Sequence, residues 1–115
     1  MNLWLDDLRK PLDKSREWDW LKTVDDAIDY SNGLIRFNKQ ISVMSLDHDL
    51  GDFAAFGGDG IKYLDWMIQN HFWPLLLNFH TQNPVGRQNM INTVQGRIPT
   101  NCMITINCHI IQFQI

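Results

Sequence analysis

Ile41-Ser42-Val43-Met44-Ser45-Leu46-Asp47-His48-Asp49-Leu50-Gly51 is the stretch on which the fold turns. Its first half is apolar and β-prone, and it stops abruptly at an acid, an imidazole and a second acid. That is the pattern of a buried strand that delivers polar groups at its C-terminal end. The same pattern stands on either side. Upstream, Leu3-Trp4-Leu5 runs into Asp6-Asp7; downstream, Leu75-Leu76-Leu77-Asn78-Phe79 runs into His80-Thr81-Gln82-Asn83.

The stretches between these strands read as helices. Thr23 followed by Asp26 fits a helix cap, and Ala27, Ile28, Leu34 and Ile35 give the helix an apolar face. Asn32-Gly33 is expected to end or break it. Trp18, Trp20, Leu21 and Val24 suit either a strand or a helical turn. Phe53 to Gly60 reads as a loop, and Ile61, Leu64 and Ile68 recur at helical spacing up to about Asn70, before Pro74. Asn83-Pro84 is an N-cap followed by proline in the first turn of a further helix. Strands alternating with helices imply right-handed crossovers and a mostly parallel sheet. The expected architecture is an α/β, flavodoxin-like three-layer fold, with one domain over residues 1–96. The tail, 97–115, is rich in Asn, Gln and Ile. Met103, Ile104, Ile106, Ile110, Ile111, Phe113 and Ile115 suit an edge strand, so the fifth strand is either absent or replaced by this tail.

Composition narrows the function classes. The chain has 115 residues, 44% apolar and 20% charged, which fits one globular domain rather than a disordered segment. Its net charge of −3 provides no global field for nucleic acid, so a polyanionic ligand needs a local site or a bound cation. No apolar run suffices to span a bilayer, and the N-terminus lacks the basic start of a secretory leader. Cys102 and Cys108 form neither a disulfide framework nor a common zinc pattern. A reducing, cytoplasmic setting without membrane contact is expected; oligomeric state is not legible.

In an open parallel sheet, ligands bind where strand order reverses, outside the C-terminal strand ends. With the first and third strands adjacent, Asp6, Asp7, Asp47 and Asp49 meet at one edge. Clustered carboxylates repel, and a bound cation or a raised pKa relieves the repulsion. Hard oxygen donors suit Mg²⁺ or Mn²⁺ and leave room for phosphate oxygens. Thr81, Asn83 at the helix start and Arg87 are candidate phosphate-binding groups. His48 and His80 are candidate general acids or bases, because imidazole titrates near neutrality.

The blocks Leu3-Trp4-Leu5-Asp6-Asp7-Leu8-Arg9, Ser45-Leu46-Asp47-His48-Asp49-Leu50-Gly51 and His80-Thr81-Gln82-Asn83-Pro84-Val85-Gly86-Arg87-Gln88-Asn89-Met90 together resemble the cyclic-phosphate processing receiver domains of bacteria and phages, over about residues 1 to 95. The resemblance implies metal-dependent hydrolysis or transfer of a cyclic phosphate on a nucleotide or nucleic-acid end. In ordinary receivers the metal-binding acid pair resembles Asp6 and Asp7, the phosphate-accepting aspartate resembles Asp47, and the fourth-strand hydroxyl resembles Thr81. The fifth-strand lysine that reads the phosphoryl group has no counterpart, since no lysine follows Lys62. Phosphorelay signalling is therefore disfavoured. A non-catalytic module that binds a phosphorylated ligand or protein partner is the alternative, and five tryptophans are compatible with it.

Overall fold

The computed structural model describes residues 1–107 and the backbone of residues 109 and 110. Readings that concern Cys108, Ile111, Phe113 and Ile115 lie outside the described residues. In chain order the elements are β1 (Asn2–Leu5), β2 (Asp19–Leu21), α1 (Val24–Arg36), β3 (Val43–Leu46), a 3₁₀ turn (Gly51–Ala55), α2 (Gly60–Gln69), β4 (Leu76–Phe79), α3 (Pro84–Val94), β5 (Met103–Ile106) and β6 (His109–Ile110). The sheet order is β2-β1-β3-β4-β5-β6. All pairings are parallel except the last, β5 with β6. This is the α/β receiver-like arrangement, and residues of the tail supply the fifth strand.

Strand order decides which face each connection covers. The steps β2 to β3, β3 to β4 and β4 to β5 all cross the sheet in one direction. Right-handed crossovers therefore put α1, α2 and α3 on the same face, and α2 packs against both α1 and α3. The step from β1 to β2 runs the other way, so its connection, residues 6–18, crosses the opposite face. Among the described residues, the third layer is thus this loop rather than helices.

Alternation along the strands matches that division. Leu3, Met44, Leu77 and Ile104 form one in-register row, and Leu5, Leu46 and Phe79 form another; all face the helices and are buried. Between these rows lies a third, Trp4, Ser45, Asn78 and Thr105, on the loop-covered face. Tyr63, Leu64 and Met67 of α2 and Met90 and Val94 of α3 close the core from the helix side.

Caps fix the helix entrances. Thr23 Oγ1 accepts from the Asp26 N–H at 3.0 Å, as its spacing implied. Helix α1 does not end at Asn32-Gly33 but continues to Arg36, with a cap at Phe37. A lone glycine costs a helix only about 1 kcal/mol, and burial of Leu34 in the core holds the last turn down. Part of the 53–60 loop is wound as the 3₁₀ turn. Gly60 opens α2 directly against β3: an added Cβ there would stand 1.8 Å from the Asp47 carbonyl oxygen.

Candidate functional site

The C-terminal ends of β1, β3 and β4 place Asp6, Asp47 and His80 together. A ligand atom from each lies within 4.8 Å of the others, and all three residues are buried. Asp6 Oδ1 accepts the backbone N–H groups of Leu8 and Arg9, each at 2.9 Å. Its Oδ2 accepts from His80 Nε2 at 3.0 Å and faces Arg9 Nε at 3.3 Å. Burial alone would raise the Asp6 pKa. The bonds from His80, Arg9 and Leu8 outweigh it and hold the carboxyl at about 2.

Asp47 is in the opposite condition. Burial first, then the neighbouring Asp6 charge, push its carboxyl above the usual range, against the opposing pull of His80, the Thr81 hydroxyl and Arg9. Its Oδ1 accepts the His48 N–H at 2.8 Å, and its Oδ2 lies 3.5 Å from Arg9 Nη2. One guanidinium therefore bridges both carboxylates. Arg9 was not among the candidates from sequence. Its only signal was a cation three residues beyond Asp6, and the turn that folds it back is visible only in three dimensions.

His80 is held on every side. Its ring stacks on Trp4, with centroids 3.9 Å apart and planes 3° from parallel. Nδ1 lies 2.7 Å from Ser45 Oγ, which accepts from Asn78 Nδ2 at 2.9 Å, and Asn78 Oδ1 accepts from Thr105 Oγ1 at 2.6 Å. The order of donors follows from the chemistry. A carboxylate only accepts, so the neutral ring carries its proton on Nε2 toward Asp6, and Nδ1 accepts from the Ser45 hydroxyl. This chain follows the in-register row across β3, β4 and β5. Ser45, Asn78 and Thr105 went unnoticed in the sequence because isolated polar residues within strands carry no motif.

Several of the remaining candidates contact one another beside His48 and Asn83. His48 Nδ1 lies 2.8 Å from Asp49 Oδ1, and with Asp59 these two make a second possible metal-ligating group. The His48 bond, opposed by burial and helped by Asn83, holds the Asp49 carboxyl below its usual range. The His48 ring approaches α3 so closely that a Cβ on Gly86 would lie 2.6 Å from its Cγ. Asp7 is in neither group among the described residues and stands over Gly51. Asn83 Oδ1 accepts from the N–H groups of Val85 and Gly86, so two of the donors at the start of α3 are used by its own cap. Its Nδ2 donates to Asp49 Oδ2 at 3.1 Å. Thr81 is buried and accepts from the Asn83 N–H at 3.2 Å. Arg87 is half-buried on α3, with no ion-pair partner among the described residues. Where ordinary receivers end the fifth strand near a lysine, β5 here is followed by Asn107.

The donor set can be tested against a cation. Asp6 Oδ2 and Asp47 Oδ2 already converge on one positive group, Arg9, within 3.5 Å. Hard oxygens aimed at a common positive charge fit Mg²⁺ or Mn²⁺. Such an ion would share that position with the guanidinium or displace it.

A parallel sheet ordered 2-1-3-4-5, with buried acids where the first and third strands end, defines a receiver-type domain. More particularly, the family model of the cyclic-phosphate processing receiver domain matches residues 1–96, and the chain belongs to that family. No curated protein matches the chain, and no solved structure does. No helix among the described residues is long and apolar enough to cross a membrane.

Proposed function

We propose that this domain hydrolyses or transfers a cyclic phosphate carried on a nucleotide or a nucleic-acid end, at the corner formed by Asp6, Asp47 and His80. The observation that carries the reading is the meeting of two carboxylates of opposite pKa tendency with an imidazole, all within 4.8 Å. Carboxyl groups whose environments pull them apart divide the roles. Asp6, the stronger acid, stays ionised and orients His80. Asp47, whose proton affinity is raised, suits a base.

In hydrolysis, the water oxygen bonds to phosphorus and one ring P–O bond breaks. Asp47 takes the water proton and delivers it to the departing sugar oxygen, while His80, whose two nitrogens face Asp6 and Ser45, holds Asp6 in place. In transfer, an Asp47 oxygen bonds to phosphorus as one ring P–O bond breaks and the freed sugar oxygen takes a proton; an acceptor hydroxyl then bonds to phosphorus, loses its proton and releases Asp47. Arg9 neutralises the phosphate oxygens, and Thr81 and Arg87 are further candidates to hold them. Asp6 and Asp47, flanked by Asp7 and Asp49, would hold Mg²⁺ or Mn²⁺, which when bound polarises the phosphoryl group.

The test is turnover of 2′,3′- and 3′,5′-cyclic nucleotides with Mn²⁺ and with a chelator, comparing wild type, Asp47→Asn and His80→Ala. Each variant is expected to lose about a hundredfold or more in rate. Undiminished turnover in both would sink the assignment. A second reading, a binding module without turnover, is favoured by Arg9, which already covers both carboxylates. Saturable binding of cyclic phosphate with no product formed would establish it.

A further inference from the structure

Two hollows open on the loop-covered face of the sheet and share Trp4, Leu12, His80 and Asn107 as walls. One, of about 440 Å³, adjoins the reactive corner and is lined also by Arg9, Lys10 and Gln82. The other, of about 360 Å³, lies deeper under the loop, against Trp18, Val43 and Leu76. Their shared walls set them side by side as a trough, with cations at the corner and, at the far end, Trp18, Val43 and Leu76 beside the Asp13–Arg16 pair.

The wall that encloses it is built, not slack. Trp4 Nε1 donates to the Arg9 carbonyl at 2.7 Å, and Trp18 Nε1 to the Asp13 carbonyl at 3.2 Å. Asn2 Nδ2 donates to the Glu17 carbonyl, and Arg16 pairs with Asp13 at 2.8 Å. Trp4 and Trp18 meet edge to face at 5.4 Å. The polar side chains of the floor, Ser45, Asn78 and Thr105, bond to one another. Leu12, by contrast, is 84% exposed although it lines both hollows.

We propose that the trough binds a single nucleoside unit, with its cyclic phosphate at Arg9 and Lys10 and its base in the hollow walled by Leu12 and Trp18. This rests on the cyclic-phosphate reading for the phosphate end and adds the base and the extent of the ligand. Cations suit the phosphate, and indole and aliphatic walls suit the flat face of a base. Each hollow is of the size of a small-molecule site. The net charge of −3 supplies no attraction for further phosphates of a longer strand.

The test measures affinity by tryptophan fluorescence and calorimetry on the whole chain. The probes are adenosine and cytidine 2′,3′-cyclic phosphates, a cyclic phosphate without a base such as glycerol 1,2-cyclic phosphate, and a short oligonucleotide ending in a 2′,3′-cyclic phosphate. Trp18→Ala is expected to weaken the nucleosides about tenfold or more, leaving the baseless probe unchanged. Leu12→Asp, at a position too exposed to affect folding, is expected to act in the same direction. Equal affinity for probes with and without a base, or no effect of either variant on the nucleosides, overturns the proposal. An oligonucleotide bound more than tenfold tighter than its terminal mononucleotide overturns the single-unit extent. Base-dependent binding without turnover of any probe supports the trough while refuting catalysis; turnover indifferent to the base does the reverse.

Discussion

Asp6 and Asp47 sit side by side with opposite electrostatic fates, and stability at the residue scale follows. Asp6 binds its proton more weakly in the folded chain than in the unfolded one. Its stabilisation is complete above the ordinary value of 3.8 and is lost as pH falls toward about 2. Asp47 binds its proton more tightly when folded, so it favours the fold at low pH and opposes it once pH has risen through its raised pKa. Asp47→Asn is therefore expected to raise Tm at pH 7 by about 2–4 °C, a gain that shrinks on acidification, whereas Asp6→Asn lowers Tm. Thermal unfolding from pH 3 to 8 reads both. Arg9 yields a second prediction. Removing a positive charge within 3.5 Å of both carboxylates should tighten cation binding, so Arg9→Gln is expected to raise Mn²⁺ affinity several-fold by calorimetry. Unchanged affinity would mean that the ion binds away from Asp6 and Asp47.

At the scale of elements, the strands act through their shared register. Because Trp4, Ser45, Asn78 and Thr105 stand in one row, a side chain on β5 bears on an imidazole that follows β4. Ser45→Ala removes the hydroxyl that faces His80 Nδ1. The neutral ring is expected to shift from the Nε2–H form toward a mixture, visible in ¹⁵N chemical shifts, and stability to fall by about 1–3 kcal/mol. Unchanged ring shifts would show that Asp6 alone fixes the proton. Much of this layer was legible in the sequence. Each of the three site strands is an apolar run cut short by polar residues, and the caps at Thr23 and Asn83 carry their own hydrogen-bonding logic. The break expected at Asn32-Gly33 failed because tertiary burial of Leu34 outweighs one glycine. Arg9 and the Ser45–Asn78–Thr105 chain were not legible, since each depends on contacts between segments far apart in sequence or on the fold of a loop.

For the whole molecule, the family match ends at residue 96, yet the sheet does not. Ile104 of β5 is buried in the core, and β5 covers the edge of β4. A chain cut after Gly96 is expected to unfold or aggregate, because Leu77 and Phe79 lose their neighbour and β4 becomes an open edge. Circular dichroism and light scattering on the truncated chain check this; a monomer with native spectrum and Tm would show the tail to be dispensable. The helices' placement on one face was hidden in the sequence for a related reason: it depends on a loop standing where a crossover helix could have been, between β1 and β2. That placement carries a consequence for thermal behaviour. Among the described residues, the loop 6–18 roofs the other face, so a molecule lodged beneath it would complete that layer. Occupancy and folding are then one equilibrium, and a ligand at a hundred times its Kd should add about 2.7 kcal/mol to unfolding. Melting curves over a ligand series thus become an assay for what the roof was shaped to cover.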